Sequence, residues 1–172
     1  PKGRKRSMAE TLSGTTTFNT EREGQLDFFT TFLPRIDNNL SIEDILADDN
    51  DGVINGNLLE FKLRISDLNA VVFQCVKYLS ALRIKGKNVP ANMLAIDLQA
   101  ATAYLYKSAD YLDEIERVYS GGASKNDTGF VVKPYVEKYE YRTNQANASN
   151  LIKVLRSKDY TRIHIDENCI VS

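Results

Sequence analysis

The sequence predicts an α/β protein built on a central mixed β-sheet flanked by helices. Three observations carry this expectation. Asn55-Gly56, with apolar residues on both sides, marks a β-hairpin. Apolar residues at 68, 71, 72, 75, 76, 79 and 82 form a helical stripe directly after it. Two strand-like runs follow, NMLAIDL at 92–98 and TAYLYK at 102–107. With 172 residues and 42% apolar content the chain builds one substantial core and is too short for two comfortable domains.

Taken in order, residues 1–17 read as a flexible basic arm, with Lys2, Arg4, Lys5 and Arg6 in its first seven positions. Residues 18–172 read as a single domain, with a core at about 20–110 and a C-terminal extension at 111–172. Residues 20–33 read as a helix, with Leu26, Phe29 and Leu33 inward, Phe28 and Phe32 beside them, and Pro34 as its stop. SIEDILAD at 41–48 forms a short helical turn before the hairpin. The helix over 68–82 has Ser66 or Asp67 as its N-cap and Gly86 as its C-terminal stop. Residues 92–98 form a buried strand, and 102–107 alternate as another. Residues 109–119 place Tyr111, Leu112, Ile115 and Val118 at helical spacing. A glycine-rich loop spans 121–129, with neither a G-x-G-x-x-G nor a Walker lysine. The end of the chain reads as a short strand at 130–132, a helix at 146–156 and a strand at 160–165.

The chemistry concentrates in DNDGVINGNLLEFK, residues 49–62. As an EF-hand loop centred on Gly52 it places Ala47 at the first ligand position and Leu58 at the twelfth, so two ligands are lacking. As a hairpin with a type I′ turn at 55–56, it pairs 54 with 57, 53 with 58, 52 with 59 and 51 with 60. Asp51 then faces Glu60 with Cβ atoms roughly 5 Å apart. Alternation puts Glu60 and Lys62 on one face, and Leu59, Phe61, Leu63 and Ile65 on the other. Two opposed carboxylates repel unless a cation lies between them, and a divalent metal removes that conflict.

Asp51 followed by Glu60-Phe61-Lys62 resembles the core motif of the PD-(D/E)XK nucleases, with Asn50 where the motif's name has proline. Gln74-Cys75-Val76-Lys77-Tyr78 is similar to the Q-x-x-x-Y element that follows the E-x-K strand in RecB-like branches. Gln74 and Tyr78 are four apart on one helix and share a face. The resemblance implies a restriction-endonuclease-like core of order α-β-β-β-α-β. The elements above supply helix, hairpin, helix and strand, which leaves one strand before the second helix unaccounted for. It also implies that Asp51, Glu60 and the Phe61 backbone carbonyl hold Mg²⁺, with Mn²⁺ as a substitute. Lys62 then orients the attacking water or stabilises charge on the phosphate, while Gln74 and Tyr78 position it. A glutamate of the first helix, Glu21 or Glu23, joins the metal in some members, although Thr20-x-x-Glu23 also reads as a capping box. Lys77, Arg83, Lys85 and Lys87 are the candidate phosphate contacts along one edge.

Within that superfamily the chain looks most like the N-terminal cleavage part of a type II enzyme that fuses restriction with modification. No N-P-P-Y-like motif occurs, so S-adenosylmethionine enters only if a methyltransferase part lies outside this chain. The implied partner is DNA, with a homodimer for double-strand cleavage. A net charge of −1 argues against a chain that binds nucleic acid through overall charge. Cys75 and Cys169, with a single His164, make neither a zinc site nor a disulfide framework and fit a reducing, cytoplasmic compartment. No run reaches the length of a membrane span. Two rivals remain: a non-catalytic DNA- or subunit-binding module of the same fold, and a free-standing nuclease. The residues after 130 discriminate within the enzymatic readings, since a fused enzyme needs them as a connector and a free one folds them back.

Overall fold

The computed structural model describes residues 17–37, 39–43, 52–120 and 129–161. Helix α1 (Glu21–Ile36) starts where the sequence places it. Thr20 Oγ1 accepts from the Glu23 N–H at 3.1 Å, and Glu23 Oε1 accepts from the Asn19 N–H at 2.7 Å. Gly24, Phe28, Phe29, Phe32 and Leu33 form its buried face. Leu26 lies at the margin of that stripe and is 38% exposed, against the expectation that it points inward. Pro34 does not stop the helix, which runs on to Ile36. A proline in the last turn removes only the bond to the carbonyl of Thr30, an exposed residue, so the helix carries it without a break.

The hairpin forms in the expected register. Strands β1 (Val53–Ile54) and β2 (Asn57–Lys62) pair Val53 with Leu58 and Ile54 with Asn57, and the Leu59 N–H donates to the Gly52 carbonyl at 2.7 Å. The turn differs from the expected type I′. Asn55 takes a positive φ of 56°, but Gly56 is not among the residues with left-handed backbone. Glycine is needed at 56 for space instead, because a Cβ there would lie 2.0 Å from the Asp159 carbonyl oxygen. The Gly56 N–H donates to the Ser157 carbonyl at 2.8 Å, which fastens the hairpin tip to the chain leaving the last helix.

Helix α2 (Leu68–Ile84) is capped by Asp67, whose side chain accepts from the Asn69 N–H. It ends in a Schellman arrangement, with Gly86 N–H on the Arg83 carbonyl, Lys87 N–H on the Leu82 carbonyl, and Gly86 at φ 74°. The chain continues through β3 (Val89–Pro90), β4 (Asn92–Asp97), β5 (Thr102–Lys107), a 3₁₀ turn at Ser108–Tyr111, α3 (Leu112–Ser120), β6 (Glu137–Glu140), α4 (Gln145–Leu155) and β7 (Tyr160–Thr161). One sheet has the order β1-β2-β4-β5-β6, in which β2 and β4 are parallel and the other neighbours antiparallel. A parallel pair needs a long crossover, and α2 provides it. A small second sheet pairs β3 with β7.

The five-stranded sheet separates two apolar layers. On one side Leu59, Phe61, Leu94, Ile96, Ala103 and Leu105 pack against α1 and α4. On the other Leu58, Met93, Ala95 and Tyr106 pack against α2 and the Tyr111–Ile115 segment. The fold is thus α/β, with a mixed central sheet flanked by helices. Among the described residues, β1 and β2 are the only strands that precede α2. The expected strand at 130–132 does not form, because the Val132 N–H is taken by the Asn69 side chain at 2.7 Å and not by a neighbouring strand. Most of the turn expected at 41–48, the loop at 121–128 and the strand beyond 161 lie outside the described residues, as does the basic arm.

Buried amides tie α4 to the hairpin. Asn57, fully buried, donates through Nδ2 to the Ile54 and Val154 carbonyls at 3.0 Å, and its Oδ1 accepts from Asn92 Nδ2 at 3.0 Å. Asn55 Nδ2 donates to the Leu155 carbonyl at 2.7 Å. The last carbonyls of α4, which a helix cannot satisfy internally, find their donors on the hairpin.

Candidate active site

Strand alternation fixes which side of β2 each residue faces. Leu59 and Phe61 enter the layer under α1 and α4, whereas Leu58 enters the layer under α2. Glu60 and Lys62 therefore share one face, as the sequence predicts, and it is the α2 face. Ile65, expected with Leu59 and Phe61, lies past the end of β2 and packs in the α2 layer instead. Lys62 Nζ lies 3.9 Å from Glu60 Oε2, with the two side chains 34% and 29% exposed. Both stand beside the Cys75 thiol of α2. Burial pushes that thiol well above its ordinary range, Glu60 pushes it further and Lys62 opposes the shift.

The pair sits at the end of β2, and β4 ends alongside in parallel, with Ala95 opposite Glu60 and Asp97 opposite Lys62. In an open sheet with crossover helices, the carboxyl ends of parallel strands are where ligands bind. Asp97 is a residue the sequence reading missed. Its Oδ2 accepts from the Ile65 N–H at 3.0 Å and its Oδ1 from the Ala100 N–H at 2.9 Å. The available signal was an acid closing an otherwise apolar strand.

The remaining candidates divide. Asp51, and with it the expected 51–60 pairing, lies outside the described residues; Gly52 beside it has φ 92° and takes a conformation that regular strand does not use. The Phe61 side chain is buried in the opposite layer. Glu23 belongs to α1, whose buried face packs on the side of the sheet away from Glu60, and its carboxylate is engaged in the cap. Glu21 is exposed and accepts from Gln25 Nε2. Gln74 is exposed, while Tyr78 is half-buried and packs against the α2 layer, so the two are less alike than their shared face suggests. Lys77 lies over the Phe73 ring at 5.1 Å. Arg83 stands in the last turn of α2, about 12 Å along the axis from Cys75 by helix rise, and Lys85 and Lys87 follow the end of the helix. That end leads into the start of β4, so these cations do not line the Glu60–Lys62 end of the sheet.

A magnesium ion needs only one or two carboxylates beside its waters and the substrate oxygens. The half-open carboxylate of Glu60 is a donor of that kind, although among the described residues no three His, Cys, Asp or Glu side chains gather into a cage. Comparisons of the chain with family models, with curated proteins and with solved structures return no match.

Proposed function

We propose that the chain is a Mg²⁺-dependent DNA endonuclease of the PD-(D/E)XK type that hydrolyses phosphodiester bonds. The observation that carries the reading is the placement of Glu60 and Lys62 together on an open face, where two parallel strands end beside the start of α2. The order helix, hairpin, crossover helix, parallel strand supports it, since it matches most of the α-β-β-β-α-β core that the motif implies.

In this reading Glu60 and Asp51 hold Mg²⁺, with the Phe61 carbonyl beside them; the ion supplies charge for the scissile phosphate and acidity for its bound water. Lys62 orients the attacking water or places its ammonium against the charge that builds on the phosphoryl oxygens. Gln74 keeps Lys62 and the phosphate in register from the neighbouring helix. Residues 129–161 fold back as β6 on the edge of the central sheet, α4 against its face and β7 paired with β3. This favours a nuclease unit that folds these residues as its own over one that uses them as a connector to a modification domain.

The test is cleavage of supercoiled plasmid with Mg²⁺ or Mn²⁺ and with EDTA, alongside Mn²⁺ soaked into crystals and located by anomalous scattering. The expected result is metal-dependent nicking and an anomalous peak within coordination distance of Glu60. A chain that binds DNA without cutting it under any metal is instead a binding module of nuclease-like fold.

A further inference from the structure

We infer that Asp97 is a positioning residue for Lys62, acting through the chain that leaves β2. Three hydrogen bonds join the turn after β4 to Lys62 and the segment after it, and a fourth closes the turn on itself. The Leu98 N–H donates to the Lys62 carbonyl and the Gln99 N–H to the Leu63 carbonyl, each at 3.0 Å. Asp97 completes the clasp from the other direction, its two carboxylate oxygens accepting from Ile65 and Ala100. One carboxylate thus holds both the exit of the E-x-K strand and its own turn.

The charge of Asp97 is placed to do this without capturing the ammonium. Asp97 is the direct cross-strand neighbour of Lys62 on the same face, yet the lysine ion pair runs to Glu60 at 3.9 Å. Both oxygens of Asp97 are already engaged by backbone donors, and hydrogen bonds to an ionised acceptor are the strong kind. An alanine at 97 leaves the Ile65 N–H without its acceptor and frees the chain just beyond Lys62. The same turn is braced from the other layer, where Gln99 Oε1 accepts from the Phe18 N–H at 3.1 Å. Ala101 closes it in a left-handed conformation at φ 52°.

The catalytic consequence rests on the nuclease reading; the clasp does not, and the experiment separates the two. Single-turnover plasmid cleavage is measured at saturating Mg²⁺ for the parent, Asp97→Ala, Lys62→Ala and the double variant. Asp97→Asn, which keeps the size and one acceptor, serves where Asp97→Ala fails to fold. Asp97→Ala is expected to slow cleavage about 10- to 100-fold, the scale of residues that orient catalytic groups, with half-saturating Mg²⁺ unchanged. In the Lys62→Ala background the same change should cost less than about twofold, because neighbours acting as a unit are not additive. Equal losses in both backgrounds overturn the proposal.

A parent chain with no metal-dependent cleavage sinks the nuclease reading, and the clasp is then read by NMR. Asp97→Ala should speed exchange of the Ile65 amide about tenfold, the worth of one bond to a charged acceptor. It should also shift the Lys62 side-chain resonances while leaving those of Lys138 in place. An Ile65 amide as protected as in the parent, or an unmoved Lys62, overturns the inference whatever the chain's function.

Discussion

Lys62 stands on an open strand face, 34% exposed, and its ion pair with Glu60 spans 3.9 Å, so removing it opens no cavity. Exposed pairs of this kind contribute about 1 kcal/mol or less to stability. Lys62→Ala is therefore expected to fold and melt like the parent while losing cleavage by about a hundredfold or more, as when a stabilising donor is deleted. Rate per folded molecule, with circular dichroism as the control, is the measurement; an unchanged rate removes the lysine from the mechanism. Gln74 is the cleaner test of the helical motif, because it is exposed whereas Tyr78 also packs in the core. Gln74→Ala should cut the rate about 10- to 100-fold with no change in melting temperature. If it melts lower and each folded molecule cuts normally, the Q-x-x-x-Y likeness is coincidence. Glu60 and Lys62 were legible because strand period and motif spacing agree. Asp97 was not, since only the parallel pairing of β4 with β2 brings it beside Lys62, and nothing local in NMLAIDL announces that neighbour.

Among the elements, the hairpin shows how a correct register can come with a wrong turn. Asn-Gly named the turn's position because both residues suit tight reversals, but its geometry is set with α4, a hundred positions later in the Asn55–Leu155 bond. Asn57 is the centre of that junction, bonded to Ile54, Val154 and Asn92 in a fully buried site. Asn57→Ala removes a donor from the Ile54 and Val154 carbonyls, of which Val154 keeps the Ser157 N–H, and takes the acceptor from the buried Asn92 amide, with each buried group left unsatisfied costing about 1–3 kcal/mol. The expected result is a fall in the urea midpoint by the equivalent of about 3 kcal/mol with an unchanged m-value, the mark of lost stability without a changed unfolded state. A loss under about 1 kcal/mol would mean that water replaces the asparagine there. Strand β6 escaped the sequence reading for a related reason. Its residues EKYE bury only Tyr139, and an edge strand with one buried position has no alternation to read.

At the scale of the whole molecule, one sheet separates two apolar layers, and the candidate site lies at the margin of the layer under α2. That layer holds groups kept neutral by burial. Cys75, between α2 and β2, is pushed well above its ordinary 9.0, by burial first and by Glu60 second, with Lys62 opposing. Burial likewise raises Tyr106 and Tyr111 in the same layer, and Tyr139 and Tyr141 across the sheet, from their ordinary 10.0. Below pH 9 the Cys75 thiol is protonated in both folded and unfolded chains and has no effect on their balance. Above 9 the unfolded chain ionises while the folded one does not, so stability falls as pH rises, by about 1.4 kcal/mol per pH unit for one such group. The fall should begin near pH 9 and steepen above 10 as the tyrosines join. Urea midpoints taken across that range test it, with Cys75→Ala as the comparison: the variant starts lower at neutral pH but should stay level until the tyrosines titrate. A parent that remains level past pH 10 would mean that the thiol does not lie buried between α2 and β2, and the site would lose the helix that frames it.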